Sequence, residues 1–156
     1  MTVEEGKLAP DFTLQDQDGN NVTLSQFRGK NVILYFYPRD MTPGCTTQAC
    51  EFRDNHDEFE KTDTVILGVS PDPIEKHQQF IGKHDLPFTL LADVDNEVSE
   101  LYDVWKLKNM FGKKFHGVER STFIIDKEGI VQKAERKVSV KGHVDETLAY
   151  VKEQLV

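Results

Sequence analysis

The sequence predicts an α/β chain built on a mixed central sheet, opened by an N-terminal β-hairpin and flanked by helices on both faces. Three observations carry this. Two apolar runs of β-branched and aromatic residues, Val32–Tyr37 and Thr64–Ser70, suit strands buried on both faces. Between them Ala49, Phe52, His56 and Phe59 recur at alternating three- and four-residue steps, the spacing of a helix with one inward face, and a right-handed crossover makes the two strands parallel. Further on, the tight turn Asp126–Gly129 lies between the runs Thr122–Asp126 and Ile130–Ala134, which joins antiparallel strands.

The remaining elements follow in chain order. Phe12–Leu14 and Val22–Leu24 flank the turn-rich Asp16–Asn21, the pattern of a hairpin. A helix is expected from Pro73 to about Lys83, a short strand at Phe88–Leu91, and a helix over Glu97–Trp105 carrying Val98, Leu101 and Trp105. Residues 106–117 hold four lysines and His116 and read as a basic loop, either solvated or forming a mobile rim in which Met110 and Phe111 cover a pocket. A last amphipathic helix presents Val144, Leu148, Val151 and Leu155. A βαβ half followed by a β-hairpin and a helix is the thioredoxin-like arrangement, with its site where the first helix leaves the first central strand. No repeat, low-complexity tract or linker divides the chain, so residues 1–156 are expected to form one domain.

Composition narrows the function classes. The formal net charge of −8 over 156 residues repels polyphosphates and anionic lipid surfaces, so neither nucleic acid nor membrane is an expected partner. The start, Met1–Glu5, lacks a basic region followed by an apolar one, and no run reaches the roughly 18 apolar residues needed to span a bilayer. A soluble, cytoplasmic protein is expected. The chain has two cysteines, and in a reducing compartment such a pair is more often catalytic, redox-active or metal-binding than stapled. A metal centre needs three or four ligands at workable spacing, which two cysteines five apart and scattered histidines do not supply. No cofactor is expected.

Both cysteines fall in the stretch PRDMTPGCTTQAC, Pro38–Cys50, at the predicted strand-to-helix junction. Thr42 suits the N-cap, Pro43 the first helical position, and Cys45 the third. A thiolate there faces unpaired amides and the positive end of the helix, which favours the reactive form. That activation gives at most roughly thirtyfold in rate at neutral pH, and less in practice because nucleophilicity falls with pKa; a strong catalyst also needs donors aimed at the charge developing on the substrate's leaving atom. Thr42, the Cys45 amide and Arg120, which directly precedes a predicted strand, are candidates, Arg120 because its guanidinium stays charged and offers several fixed donors. Each has a plainer reading: Cys50 as a small core residue, Arg120 as a solvated strand-end charge, Thr42 as a cap alone. Cys45 and Cys50 on one helix have Cα atoms roughly 8.6 Å apart, beyond the about 7 Å a disulfide tolerates, so pairing requires the helix to unwind.

Pro38–Cys45 resembles the P-x-x-x-T-x-x-C motif of peroxiredoxins, and Thr46–Cys50 with Phe52–Asp54 resembles the bacterioferritin comigratory protein branch, also called PrxQ. The likeness extends through Gly6–Leu14, Gly68–Asp72, Leu90–Asp93 and Gly117–Asp126. The resemblance implies a thioredoxin-like fold and a thiol peroxidase acting on hydrogen peroxide and organic hydroperoxides. It matches Cys45 to the peroxidatic cysteine, Thr42 and Arg120 to groups that hold and polarise the peroxide, and Pro38 to the residue shielding the thiolate. Cys50 matches the resolving cysteine, which would form an intramolecular disulfide that thioredoxin, or in some members glutaredoxin, reduces. The branch is often monomeric. It commonly has Glu where this chain has Gln48, and loss of that negative charge is expected to ease thiolate formation. Two alternatives stay open: a one-cysteine peroxidase resolved by an external thiol, and a peroxide-responsive redox sensor or holdase. A disulfide exchanger of the C-x-x-C type does not fit the four residues between the cysteines.

Overall fold

The computed structural model describes residues 3–155. A hairpin of β1 (Thr13–Gln15) and β2 (Asn21–Thr23) leads through one 3-10 turn into β3 (Asn31–Phe36). Helices α1 (Pro43–Asp54) and α2 (His56–Glu60) cross to β4 (Thr64–Ser70), followed by α3 (Ile74–His84), β5 (Thr89–Ala92) and α4 (Glu97–Leu101). Strands β6 (Trp105–Met110), β7 (Lys113–Val118), β8 (Ser121–Ile125) and β9 (Val131–Glu135) precede the final helix α5 (His143–Gln154). Seven strands form one sheet in the order β2-β1-β5-β4-β3-β8-β9, and β6 pairs with β7 separately. The sheet is mixed: β3 runs parallel to β4 and antiparallel to β8.

Alternation along the central strand β3 separates the core into two layers. Val32, Leu34 and Phe36 pack on one side with Tyr102, Phe123 and Ile125. Ile33 and Tyr35, with Tyr37 beyond the strand's end, pack on the other with Ala49 and Phe52 of α1, Phe80 of α3 and Val144 and Val151 of α5. Cys45 belongs to this second layer. Because every residue of β3 is buried, its end is a fixed platform for the loop that enters α1.

Three expectations need correction. The helix expected through His56 and Phe59 breaks at Asn55, whose backbone leaves the helical region and whose Nδ2 donates to the Glu51 carbonyl at 2.9 Å. The helix expected to reach Trp105 stops at Leu101, because Asp103 takes a left-handed backbone, φ +57°, and Trp105 opens β6. Residues 106–117 are a β-ribbon rather than a loop. Its turn is Phe111-Gly112, at φ +52° and +79°, the pair of positive φ values that joins two strands without splaying them. Lysine is depleted from strands, and four of them hid the alternation.

Candidate active site

The site is built at the end of β3, where the chain must turn into α1. Pro38 opens the loop half-buried, and Thr42 has the extended backbone of an N-cap, φ −76° and ψ 153°, with its carbonyl accepting the first helical bond from the Thr46 amide at 2.8 Å. Its side chain departs from the capping expectation. The Thr42 hydroxyl donates back to the Arg39 carbonyl at 3.0 Å and caps no helix amide. Pro43 takes the first helical position, Gly44 the second and Cys45 the third, as expected.

Cys45 is 2% exposed and reduced. Arg120, which precedes β8, reaches it: one guanidinium nitrogen donates to Sγ at 3.2 Å and the other to Oε1 of Gln48 at 2.5 Å. Such a forked, always-charged donor stabilises negative charge on sulfur. Gly44 leaves room for this approach: a Cβ there would sit 3.3 Å from the guanidinium, tight enough to shift it by a few tenths of an ångström. Gln48 is fully buried, one turn along α1 from the thiol. Its effect is more specific than a missing charge near the sulfur: it binds the cation itself and leaves the guanidinium charge unneutralised.

A second cation stands nearby. Lys108 of β6 has its ammonium pushed below the usual lysine range, first by partial burial and then by the like charge of Arg120, while Cys45 and Glu119 oppose the shift. In the register of the ribbon Lys108 lies opposite Phe115, and Met110 opposite Lys113, so these four share one face. Met110 and Phe115 are exposed on that face. Beneath Arg120, His143 is buried: Nε2 lies 2.8 Å from the Thr122 hydroxyl and Nδ1 3.2 Å from Glu135. Burial pushes this imidazole below its ordinary range, with Glu135 pulling the other way. Tyr35 and Tyr37, buried under the site, are held well above the usual phenol range, chiefly by burial.

Cys50 is half-buried, on the same unbroken helix. The geometry therefore joins Cys45, Arg120 and Gln48 directly, sets Thr42 and Pro38 in the adjoining loop, and leaves Cys50 a turn and a half away along α1. The reading of the sequence passed over Gly44 and Lys108. Gly44 was legible only as a helix-start residue, and Lys108 only as one lysine among four.

The AhpC/TSA family profile matches residues 6–134. The chain belongs to the AhpC/TSA family of peroxiredoxins. It lies in the bacterioferritin comigratory protein, or PrxQ, branch: it is 56% identical over 153 residues to peroxiredoxin Bcp of Bacillus subtilis, covering 98% of both chains. Among solved structures, a Cys-to-Ser mutant of Xylella fastidiosa PrxQ superposes with a TM-score of 0.92 at 34% identity, over 97% of this chain and 96% of that one. The Xanthomonas campestris bacterioferritin comigratory protein, studied for alkyl peroxide reduction, gives 0.87 at 42% identity over 91% and 90%. The peroxiredoxin assignment carries with it the thioredoxin fold and membership of a thiol peroxidase family. Among the described residues no helix is long and apolar enough to cross a membrane.

Proposed function

We propose that this peroxiredoxin reduces hydrogen peroxide and organic hydroperoxides at Cys45, with Cys50 as its internal partner. The observation that carries the reading is the Arg120 guanidinium 3.2 Å from Cys45 Sγ at the start of α1. The thiolate attacks one peroxide oxygen and the O–O bond breaks. The leaving oxygen departs as alkoxide or hydroxide, takes up a proton, and Cys45 becomes a sulfenic acid. Arg120 offers donors to both the sulfur and the departing oxygen. Thr42 and Pro38 shape the loop beside the thiol and limit water around it. Cys50 then attacks the sulfenic sulfur, releasing water and forming a disulfide, and thioredoxin returns both thiols by exchange. The protein works as a cytoplasmic monomer.

Resolution requires α1 to open, since five helical residues place the two Cα atoms roughly 8.6 Å apart. Local sequence favours this: Thr47 Oγ1 donates to the Pro43 carbonyl at 3.0 Å, a back-bond that weakens and bends helices. The unbroken α1 and the half-buried Cys50 favour one rival, resolution by an external thiol. An intact mass after one equivalent of hydrogen peroxide, denaturing and non-reducing, separates them. A loss of roughly 2 Da with a peptide joining Cys45 to Cys50 supports the internal disulfide, whereas a gain of roughly 16 or 32 Da on Cys45 supports the rival. An unchanged mass removes the peroxidase reading.

A further inference from the structure

The loop that delivers Cys45 is not relaxed. Met41 is a non-glycine residue at φ +66°, where its Cβ crowds the backbone and the surroundings must hold the conformation in place. Asp40, the residue before it, is 5% exposed and tied on several sides. Its Oδ1 accepts the Tyr37 hydroxyl at 2.5 Å, and its Oδ2 lies 2.6 Å from Nδ1 of His77. His77 projects from α3, is fully buried, and places Nε2 2.9 Å from the Leu91 carbonyl of β5. A carbonyl only accepts, so Nε2 carries a proton, and a second proton lies between Nδ1 and Oδ2. The Asp40 amide adds a bond to Asp72 Oδ2 at 2.7 Å, the same oxygen that Ser70 Oγ donates to at 2.7 Å.

We propose that the buried chain Tyr37–Asp40–His77 is the positioning device of the peroxidatic loop. It pins Asp40 to α3 and β5, holds the left-handed turn at Met41, and so fixes the first turn of α1 with Cys45 against Arg120. Tyr37 stacks on Tyr35 at 5.4 Å, and both share the core layer of Cys45, which links the chain to the thiol through packing as well. A buried carboxylate and imidazole are costly where an apolar pair could fill the same space. Apolar residues would leave Met41 free to relax. A fully satisfied polar chain has few alternative arrangements, which is the property a reactive loop needs.

The idea rests on the reading of Cys45 as the peroxide-reducing thiol, whereas the holding of the loop can be read without it. The test compares the reduced wild-type protein with Asp40→Ala, Asp40→Asn and Tyr37→Phe. In Asp40→Asn the amide donates to Nδ1, its oxygen accepts from Tyr37, and His77 keeps its Nε2 proton, so every hydrogen bond survives without the charge. Two quantities are measured: hydrogen exchange of the Asp40 and Thr46 amides, which bond Asp72 and the Thr42 carbonyl on either side of the turn, and the rate at which hydrogen peroxide oxidises Cys45. In Asp40→Ala exchange there rises about tenfold or more as the turn opens, and oxidation slows by at least about tenfold. Asp40→Asn stays within about threefold of wild type in both. Tyr37→Phe, which loses one bond only, shifts exchange in the same direction by less and supplies the result if Asp40→Ala does not fold. Unchanged exchange in a folded Asp40→Ala or in Tyr37→Phe overturns the proposal, as does an Asn variant as impaired as the Ala variant. A wild-type protein inert to peroxide would overturn the role of Cys45, with the exchange data still deciding whether the chain holds the loop.

Discussion

Arg120 donates a hydrogen bond to the sulfur of Cys45 at 3.2 Å across 75 residues of chain. The contact ties the start of α1 to the start of β8, two elements that meet only because β3 and β8 pair in register from Phe36 and Ser121 inward. Removing it tests its weight directly. In Arg120→Ala the oxidation rate of Cys45 by hydrogen peroxide, followed by stopped flow, should fall about a hundredfold or more, the usual loss for one preorganised donor to developing charge. Arg120→Lys should recover only part, since it restores the charge without the fork that spans Cys45 and Gln48. A wild-type rate in the alanine variant would remove Arg120 from the mechanism.

Gln48 offers a charge test on the same cation. Glu at this position would pair with the guanidinium through a full negative charge and compete with the sulfur for it. Gln48→Glu should move the pH dependence of Cys45 alkylation by iodoacetamide to higher pH, because an added anion one turn away disfavours the thiolate. The sign is fixed by electrostatics, and an unmoved profile would mean that Gln48 serves only to orient Arg120.

On the proposed route, opening of the helix limits the second step. Thr46 and Thr47 lie between the two cysteines, both β-branched and modest helix formers. Replacing both by alanine should stabilise closed α1 by about 1 kcal/mol and slow disulfide formation about fivefold. First oxidation of Cys45 should be nearly unaffected. The sulfenic acid would then live longer, and mass spectrometry at excess peroxide should show more sulfinic acid than in wild type. Equal disulfide rates in the two proteins would show that α1 opening does not limit resolution.

These residues also show which parts of the site a sequence can reveal. Thr42, Pro43 and Cys45 fall within four consecutive residues, and helix-start rules act on neighbours, so the junction was legible. Arg120 was reachable because it borders a strand whose apolar pattern already placed it in the sheet. Local patterns misled at Trp105, where Val98, Leu101 and Trp105 fit a helical step although the left-handed Asp103 ends the helix. Asp40 and His77 were invisible for a different reason. They lie 37 residues apart, each has the look of a surface residue in its own window, and only tertiary packing buries them together.

His143 gives the protein a calculable response to acid. Burial lowers its proton affinity in the folded state below the ordinary value near 6.5, with Glu135 at 3.2 Å only partly opposing this. The unfolded chain therefore binds more protons here, and stability must fall as pH drops below about 6.5 and level off once the folded protein is also protonated. His143→Gln can keep a hydrogen bond to Thr122 and cannot titrate. Its melting temperature should lose this part of the decline between pH 6.5 and 5, while a slope identical to wild type would assign the acid response to other groups.

The ribbon should matter for large substrates and not for small ones. Phe115 and Met110 share an exposed face of the ribbon with Lys108, a residue that feels the charges of Arg120 and Cys45, and that face is the part of the ribbon to test for contact with substrate. Hydrogen peroxide has almost no apolar surface to bury against such side chains. An aryl or alkyl hydroperoxide would bury part of its body there, at about 25 cal/mol per Å² of apolar contact. Loss of some 50 Å² of such contact in the double variant Met110→Ser, Phe115→Ser would raise KM for cumene hydroperoxide severalfold, about 1 kcal/mol, and leave that for hydrogen peroxide unchanged. Equal effects on both peroxides would mean that the ribbon acts on Arg120 or on the loop, and no effect on either would leave it outside the substrate path.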